Sequence, residues 1–598
     1  MRAVDEPFLQ REAILEQQRA GLARISGVIG NIRVLWAGLL LAVLIYGFVQ
    51  TFSVMLAIAL AVLAVIFVAL WIIHMYYSVR LRRCEGLIAI NRQYIQRIHG
   101  EWTTFAETGL DFLPQEHPYG DDLDIVGPKS LFQLLLTAHT WHGRQAFAND
   151  LLDSNYAAEQ IGERQAAIEE LSHKNEFSQE FQYDAKAVGA DKEVLSLLDA
   201  LRDRKLFIQS PVIKWLLTLC PMAVSLFTAA VCIFRLRAFY VPAFVCVAAQ
   251  ALVWAFGRLK IEAYLSSAGY MKGLLERYAK LFAHIQEENF VAGLLVTIQR
   301  QLAIDGDSAA KALQKLDGIT QRQMIRNQGL IYFFCNVFLL WDYETAILLE
   351  KWKRQYAGLA AVWFEALGNF ESLLCFANLP LVTENIHYPK ILAKQKTISA
   401  KAIGHPLIPN GQRVYNDFDS TDEIVIISGS NMSGKTTFLR TVGINIVLAR
   451  AGAGVCAGEM SLFQAKPVSS MRIRDDLNEG VSTFYAELKR IKAILELAET
   501  NGDILFLIDE IFRGTNSIDR LEGAKAVIKQ LNRLKTAGLI TTHDLELCRL
   551  SELPRIRNAS FSEYYENKQI HFDYKLKSGP STTTNAKFLM EMVGILKE

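Results

Sequence analysis

From Val34 to Val79 the chain contains no Asp, Glu, Lys or Arg. About 20 apolar residues carry one helix across a bilayer, so this stretch is long enough for two crossings. Gln50, Thr51 and Ser53 interrupt it, which sets the spans at Val34–Val49 and Val54–Tyr77. The run begins too late and continues too far for a cleaved signal peptide, whose apolar region is roughly 7–15 residues. A second apolar pair, Trp215–Phe234 and Phe239–Phe256, is joined by Arg235, Leu236 and Arg237. Arg24 and Arg33 precede the first hairpin, Arg80, Arg82 and Arg83 follow it, and its internal link carries no basic residue. Loops rich in Lys and Arg stay on the cytoplasmic side, so four spans are expected with both termini cytoplasmic. Lys205, Lys214, Arg258 and Lys260 fit that orientation, whereas Arg235 and Arg237 run against it.

The remaining sequence is long enough for several units, since 598 residues exceed one ordinary domain of about 150. Sixty-three basic residues against 62 acidic ones exclude a polybasic nucleic-acid binder, so any basic footprint is local. A hydrophobic share of 51% excludes wholesale disorder. The eight cysteines form no C-x-x-C pair, which argues against a zinc site or a disulfide framework. From Asn91 to Leu201 and from Arg258 to Ile391 the apolar spacing is helical, as in Leu274, Leu275, Tyr278, Leu281, Phe282 and Ile285. From about Thr397 short β-rich runs broken by Gly and Asn signal an α/β domain. The expected fold is multidomain, with N-terminal transmembrane helices, an all-α lever or core, and a C-terminal α/β P-loop domain. Its boundaries are a cytoplasmic helix at 1–33, a transmembrane hairpin at 34–79, helical core at 80–209, a second hairpin at 210–257, helical core again at 258–396, and the α/β domain at 397–598.

The chemistry lies in the last third. Glu423–Ile427 reads as a buried strand, followed by Gly429, Ser430, Asn431, Met432, Ser433, Gly434, Lys435 and Thr436, then a helical run from Thr437. This is G-x-x-x-x-G-K-[ST] between a strand and a helix, the context in which backbone amides and a helix N-terminus cradle phosphates. Lys435 is placed to neutralise β/γ charge and Thr436 to give a hydroxyl to Mg²⁺. A second strand, Ile504–Ile508, ends in Asp509 and Glu510. Asp509 is the candidate Mg²⁺ residue and Glu510 the group that orients and deprotonates a water. A third, Leu539–Thr542, delivers His543 to the same end, where it can sense the γ-phosphate.

These motifs resemble the MutS family of DNA mismatch repair ATPases. G-S-N-M-S-G-K-T-T at 429–437 is similar to its phosphate loop, D-D-L-N-E-G-V-S-T-F-Y-A-E at 475–487 to the segment leading into its signature serine, D-E-I-F-R-G-T-N-S-I-D at 509–519 to its Walker B and dimer-contact loop, and T-T-H-D at 541–544 to its switch histidine. Upstream, residues 121–135 and 164–171 resemble the opening of the family's lever, and Gly404-His405-Pro406 the entry to its ATPase domain. The resemblance implies an ABC-type head that dimerises head to tail, with Ser482 of one chain contacting the γ-phosphate held by the other. Asn516, Ser517 and Asp519 would line that seam. It also implies Mg-ATP, a homodimer, and DNA as partner. Arg413 or Tyr415 stands where the family stacks an aromatic on adenine.

Departures from the family shape the expectation. Only the membrane spans and a short helical segment precede the lever, which leaves no room for the family's mismatch-reading domain. Phe105-Ala106-Glu107 matches its F-x-E wedge in letters alone. Neither a C-terminal dimerising extension nor a nuclease domain is expected after Phe588–Gly594. The expected protein is a membrane-tethered ATPase that couples ATP hydrolysis in a dimeric head to DNA binding, in repair or recombination, with mismatch recognition the less favoured form. The rivals are a transport-type or membrane-remodelling ATPase, and an ATP-gated scaffold, both without DNA.

Overall fold

The computed structural model describes residues 4–50, 53–190, 192, 194, 199, 211–234, 237–266, 273–304, 306–392, 395–472, 483–500, 503–512, 517–566 and 569–581. It divides into two compact units, one of Met1–Leu136, Ala148–Tyr183 and Cys375–Glu598, the other of Thr137–Phe147 and Asp184–Leu374.

The first unit begins with two long antiparallel helices, α1 (Glu6–Val49) and α2 (Val54–His99). Ser53 caps α2, its hydroxyl accepting from Leu56 N, and Gly100 ends it in the left-handed region at φ +86°. Neither helix breaks where its composition changes. Their polar halves are paired: Arg92 binds Glu12 at 2.6 Å and Glu16 at 2.9 Å, Asn91 Nδ2 donates to Phe8 O, and the Phe8 and Tyr94 rings stack at 4.9 Å. Deeper in, Tyr94 OH donates to Asn378 Oδ1 at 2.8 Å, while the buried Arg97 donates to the carbonyls of Leu134 and Leu136. The apolar halves, by contrast, carry exposed side chains away from the seam between the two helices, among them Leu35, Phe48, Met55 and Val65. The expected boundary at residue 80 therefore falls inside one continuous helix.

Among its described residues the second unit is mainly helical, with a short β-bridge pairing Ala303–Ile304 with Asp307–Ser308. Its main elements are α3 (Pro211–Phe234), α4 (Tyr240–Ser266), α5 (Leu274–Glu287), α6 (Ala309–Gln321), α7 (Gly329–Leu339) and most of α8 (Trp341–Ala377). The periodic apolar face read from Leu274 to Ile285 is buried, and Tyr278 and Phe282 meet Phe364 of α8 edge to face at 5.0 and 5.6 Å. The buried Glu371 accepts from the backbone amides of His139 and Thr140 and from the Thr140 hydroxyl. Burial raises its carboxyl above the usual range.

Among the described residues, four helices are long and apolar enough to cross a membrane: Glu6–Val49, Val54–His99, Tyr240–Leu265 and Trp341–Val382. The expected span at Trp215–Phe234 lies within α3, whose described apolar stretch is the shorter Leu219–Val231.

The C-terminal α/β part returns to the first unit. A small sheet places β1 (Lys390–Leu392), β5 (Glu459–Phe463), β2 (Thr397–Ile403) and β3 (Asn416–Thr421) side by side in that order. The larger sheet runs β6 (Lys466–Ser470), β7 (Ile504–Asp509), β8 (Ala537–Thr542), β4 (Ile424–Ser428), β9 (Ile556–Ser560) and β10 (Lys577–Ser578). All its pairs are parallel except β9 with β10. Strands β4, β7 and β8 are buried along their whole length, as continuous apolar runs in a covered parallel sheet should be. Helices α9 (Lys435–Arg450), α10 (Thr483–Thr500) and α11 (Ser517–Arg533) complete the layers. Register aligns Asp509 with Thr541 and Thr542 with Ser428, so three central strands end at one level.

Candidate active site

The loop between β4 and α9 needs its glycines. Gly429 has φ +153°, and a Cβ there would lie 2.6 Å from Phe561 O. Gly434 caps α9 at φ +106°, beneath the Tyr574 ring. Between them Met432, at φ +66°, is left exposed. The Lys435 ammonium is folded back on the loop, donating to Gly429 O at 2.9 Å and Ser430 O at 2.7 Å. Ser430 Oγ donates to Glu563 Oε2, and the Ser433 hydroxyl is buried with no hydrogen-bond partner among the described residues. A buried hydroxyl left so costs about 1–3 kcal/mol unless a ligand meets it.

Across the loop, Thr436 Oγ1 lies 3.0 Å from both Asp509 oxygens, and Thr541 Oγ1 donates to Asp509 Oδ1 at 2.5 Å. Glu510 follows in the left-handed region at φ +57°, a strained conformation for a glutamate. Its amide donates to Thr541 O and its carboxylate pairs with His543 Nε2. The adjacent Phe512 amide donates to the buried Glu487 at 2.5 Å, so α10 braces the turn that carries Glu510. A cavity of about 780 Å³ opens over these groups, lined by the phosphate loop, Asp509, Glu510 and Tyr574.

Structure thus brings Lys435, Thr436, Asp509, Glu510 and His543 to one end of the sheet. Ser482 and Asn516 lie outside the described residues. Ser517 opens α11 and Asp519 lies in its first turn. Tyr415 does not line the cavity, although its neighbours Val414 and Asn416 do. Side chains alternate along an extended segment, and this alternation turns the Tyr415 ring toward Gly404 and Arg413. Arg413 is equally displaced from a stacking role: it is buried and donates to the carbonyls of His405, Pro406 and Ile408, fixing the loop it belongs to.

Four contributors escaped the sequence reading. Tyr574, whose carbonyl accepts from Asn416 Nδ2, supplies the aromatic over Gly434; its only local signal is an aromatic in F-D-Y-K-L beyond the last motif. His405 lines the cavity, and burial, with the Arg440 and Arg413 charges, pushes its imidazole down to about 3, so it is neutral. Asp122 and Asp124 come from the segment read only as a lever opening. The fully buried Asp122 accepts from Ser469 Oγ and from the amides of Met471 and Arg472, while Asp124 pairs with Arg440 and Arg472, both on the cavity wall.

The residues fit a bound triphosphate and its metal. Backbone amides, the N-terminus of α9 and Lys435 supply cationic character, the partnerless Ser433 hydroxyl faces the loop interior, and the Thr436–Asp509 pair offers hard oxygen ligands of the type Mg²⁺ takes.

Residues 425–595 match the family model described as MutS domain V. Among curated relatives, the chain is 33% identical over 264 residues to the DNA mismatch repair protein MutS of Halalkalibacterium halodurans, covering 42% of this chain and 30% of that protein. It is 34% identical over 203 residues to the protein of the same name from Thermus aquaticus, covering 34% and 25% respectively. The match to that of Shouchella clausii is 31% over 232 residues, 37% of this chain and 26% of the relative. The chain thus spans less than a third of the length of the relatives it matches. Its α/β region is thus similar to MutS domain V, and the likeness to the curated relatives is partial.

Proposed function

We propose that this protein is an Mg-dependent ATPase, tethered to a membrane by its apolar hairpins, whose cycle acts on DNA. The observation that carries the reading is the meeting of the phosphate loop, the Thr436–Asp509 pair and the Glu510–His543 pair at the carboxyl ends of adjacent parallel strands. Loop amides, Ser433 and Lys435 hold the β- and γ-phosphates. Thr436 and Asp509 would hold Mg²⁺, which would supply positive charge to neutralise the phosphate oxygens. Glu510 orients a water and takes its proton. The water oxygen bonds to the γ-phosphorus as the bond to the bridging oxygen breaks, leaving ADP and phosphate. His543 holds the Glu510 carboxylate and, released from it, donates to the γ-phosphate.

Two such heads act together in this reading. Ser482 of one chain completes the pocket of the other, and Asn516, Ser517 and Asp519 line the seam of a homodimer. DNA enters as substrate because the relatives that share the domain are named as DNA mismatch repair proteins. Structures without mismatches, or branched ones, are the favoured ligands. The exposed apolar helices keep one rival in view, an ATPase that works on the membrane itself.

Glu510→Gln should retain ATP binding and lose turnover by roughly 10²–10⁴-fold, measured as phosphate release by the full chain in detergent. Full turnover in that variant refutes the assigned role. Titration with homoduplex, mismatched and branched DNA across salt concentrations tests the partner: salt-sensitive binding with stimulated turnover supports DNA, and indifference to every form transfers the reading to the membrane rival.

A further inference from the structure

The second unit carries an apolar helix that neither hairpin accounts for. Helix α7 contains no charged residue, and its eleven residues rise about 16 Å, half the ~30 Å hydrocarbon thickness. Its polar contacts are confined to one side. Tyr332 OH donates to the buried Asp342 at 2.7 Å, Arg326 pairs with the same carboxylate, and Asn336 Oδ1 accepts from Asp342 N. Away from these contacts the helix presents Leu330, 77% exposed, with Ile331, Phe333 and Phe334.

What covers that side is indicated by its neighbours. Helix α7 packs on α3 and α4, and Trp254 of α4 meets Tyr332 and Phe333 edge to face at 5.8 and 6.0 Å. Helix α4, which meets α7 through Trp254, itself exposes Val245, Leu252 and Phe256. Trp254 is one turn from Arg258, whose guanidinium lies over its ring at 5.9 Å, and Lys260 follows. Aromatic rings beside cations, at the end of an apolar helix, mark the level of lipid headgroups. Lipid-exposed backbone must be hydrogen-bonded within its own segment, and α7 meets that condition as a helix.

We propose that α7 is a half-depth lipid contact, seated in the leaflet on the Arg258 and Lys260 side, with Phe333, Phe334 and Leu330 among the acyl chains. This inference rests on the membrane reading above and deepens it: the second unit grips one leaflet with a helix too short to cross. The partner is a phospholipid monolayer, anionic headgroups meeting Arg258 and Lys260 of α4.

The full chain, reconstituted in vesicles of equal parts phosphatidylcholine and phosphatidylglycerol, tests this with the photoreactive p-benzoylphenylalanine placed singly at Phe334, Leu330, Val62 or Val291. Val62 reports the first hairpin. Val291 is an isolated exposed residue of the second unit outside the apolar helices. Positions 334 and 330 should give lipid adducts several-fold above position 291 and comparable to position 62. Lipid adducts at 62 without any at 334 and 330 overturn the proposal and leave the tether standing. Cross-links from 334 or 330 to a second copy of the chain overturn it in favour of a protein interface. Absence of lipid adducts at all four positions removes the membrane reading and this inference with it.

Discussion

Helix α8 and the apolar half of α2 both belong to helices long and apolar enough to cross a membrane, yet their surroundings are opposite. In the helix spanning Trp341–Val382 the most apolar stretch is 72% buried inside the protein, whereas in α2 none of it is. Period explains the difference. Up to Glu365 the large apolar residues of α8 recur on one face, Trp352, Tyr356 and Trp363 among them, while Lys351, Gln355 and Glu365 face out; from Ala366 to Ala377 the helix is buried almost all round. From Val54 to Tyr77 apolar residues occupy every face, so no soluble neighbour can cover them all. Hydropathy alone does not separate a core helix from a lipid-facing one; what differs here is whether protein covers it.

The comparison breaks most sharply at Trp363. Its side chain is fully buried, so Trp363→Ala should destabilise the fold by about 3–5 kcal/mol in chemical denaturation. A fold unmoved by this change means that α8 is not a core helix. The converse probe is Val62→Arg in α2. An exposed position on a soluble helix tolerates such a change within about 0.5 kcal/mol, but at the centre of a membrane helix Arg costs about 2.5–3.5 kcal/mol of insertion. Membrane integration of the variant should fall measurably, and unchanged integration contradicts the span.

The smallest expected effect concerns His142, whose ring packs 5.2 Å from that of Phe364 on α8. Burial holds its imidazole near 4, below the ordinary 6.5. Between these values the unfolded chain binds a proton that the folded chain does not, so the contribution is intact above 6.5 and is lost as pH falls toward 4. The stability advantage of the native protein over His142→Asn should therefore narrow across that window in paired urea titrations. A constant difference shows that His142 is not held neutral.

What could be read from the sequence follows the range of the interactions. The phosphate loop is a local device: Gly429 and Gly434 are required by backbone geometry within a few residues, and their spacing announces it. Asp509 and Glu510 were legible because a strand end is also local. Tyr574 reaches Gly434 from 140 residues away, and the Asp124 contact with Arg440 spans 316, separations that leave no periodicity to detect. Arg413 misled because its letter suggests a cation free to stack, whereas three carbonyls of its own loop had claimed it. Helix α7 was missed because eleven apolar residues are too few for a crossing.

The absence of any break in α2 sets how the head and the hairpin tip can move. Tyr94 and Arg97 fasten one end among buried groups, and about 60 Å of uninterrupted rod separates Tyr94 from Val54. A tilt of about five degrees at the fastened end displaces the far tip sideways by about 5 Å. The rod is a tiller with no joint: small rotations of the head become angstrom-scale sweeps at the distant turn, and a load on that turn returns to the head as torque.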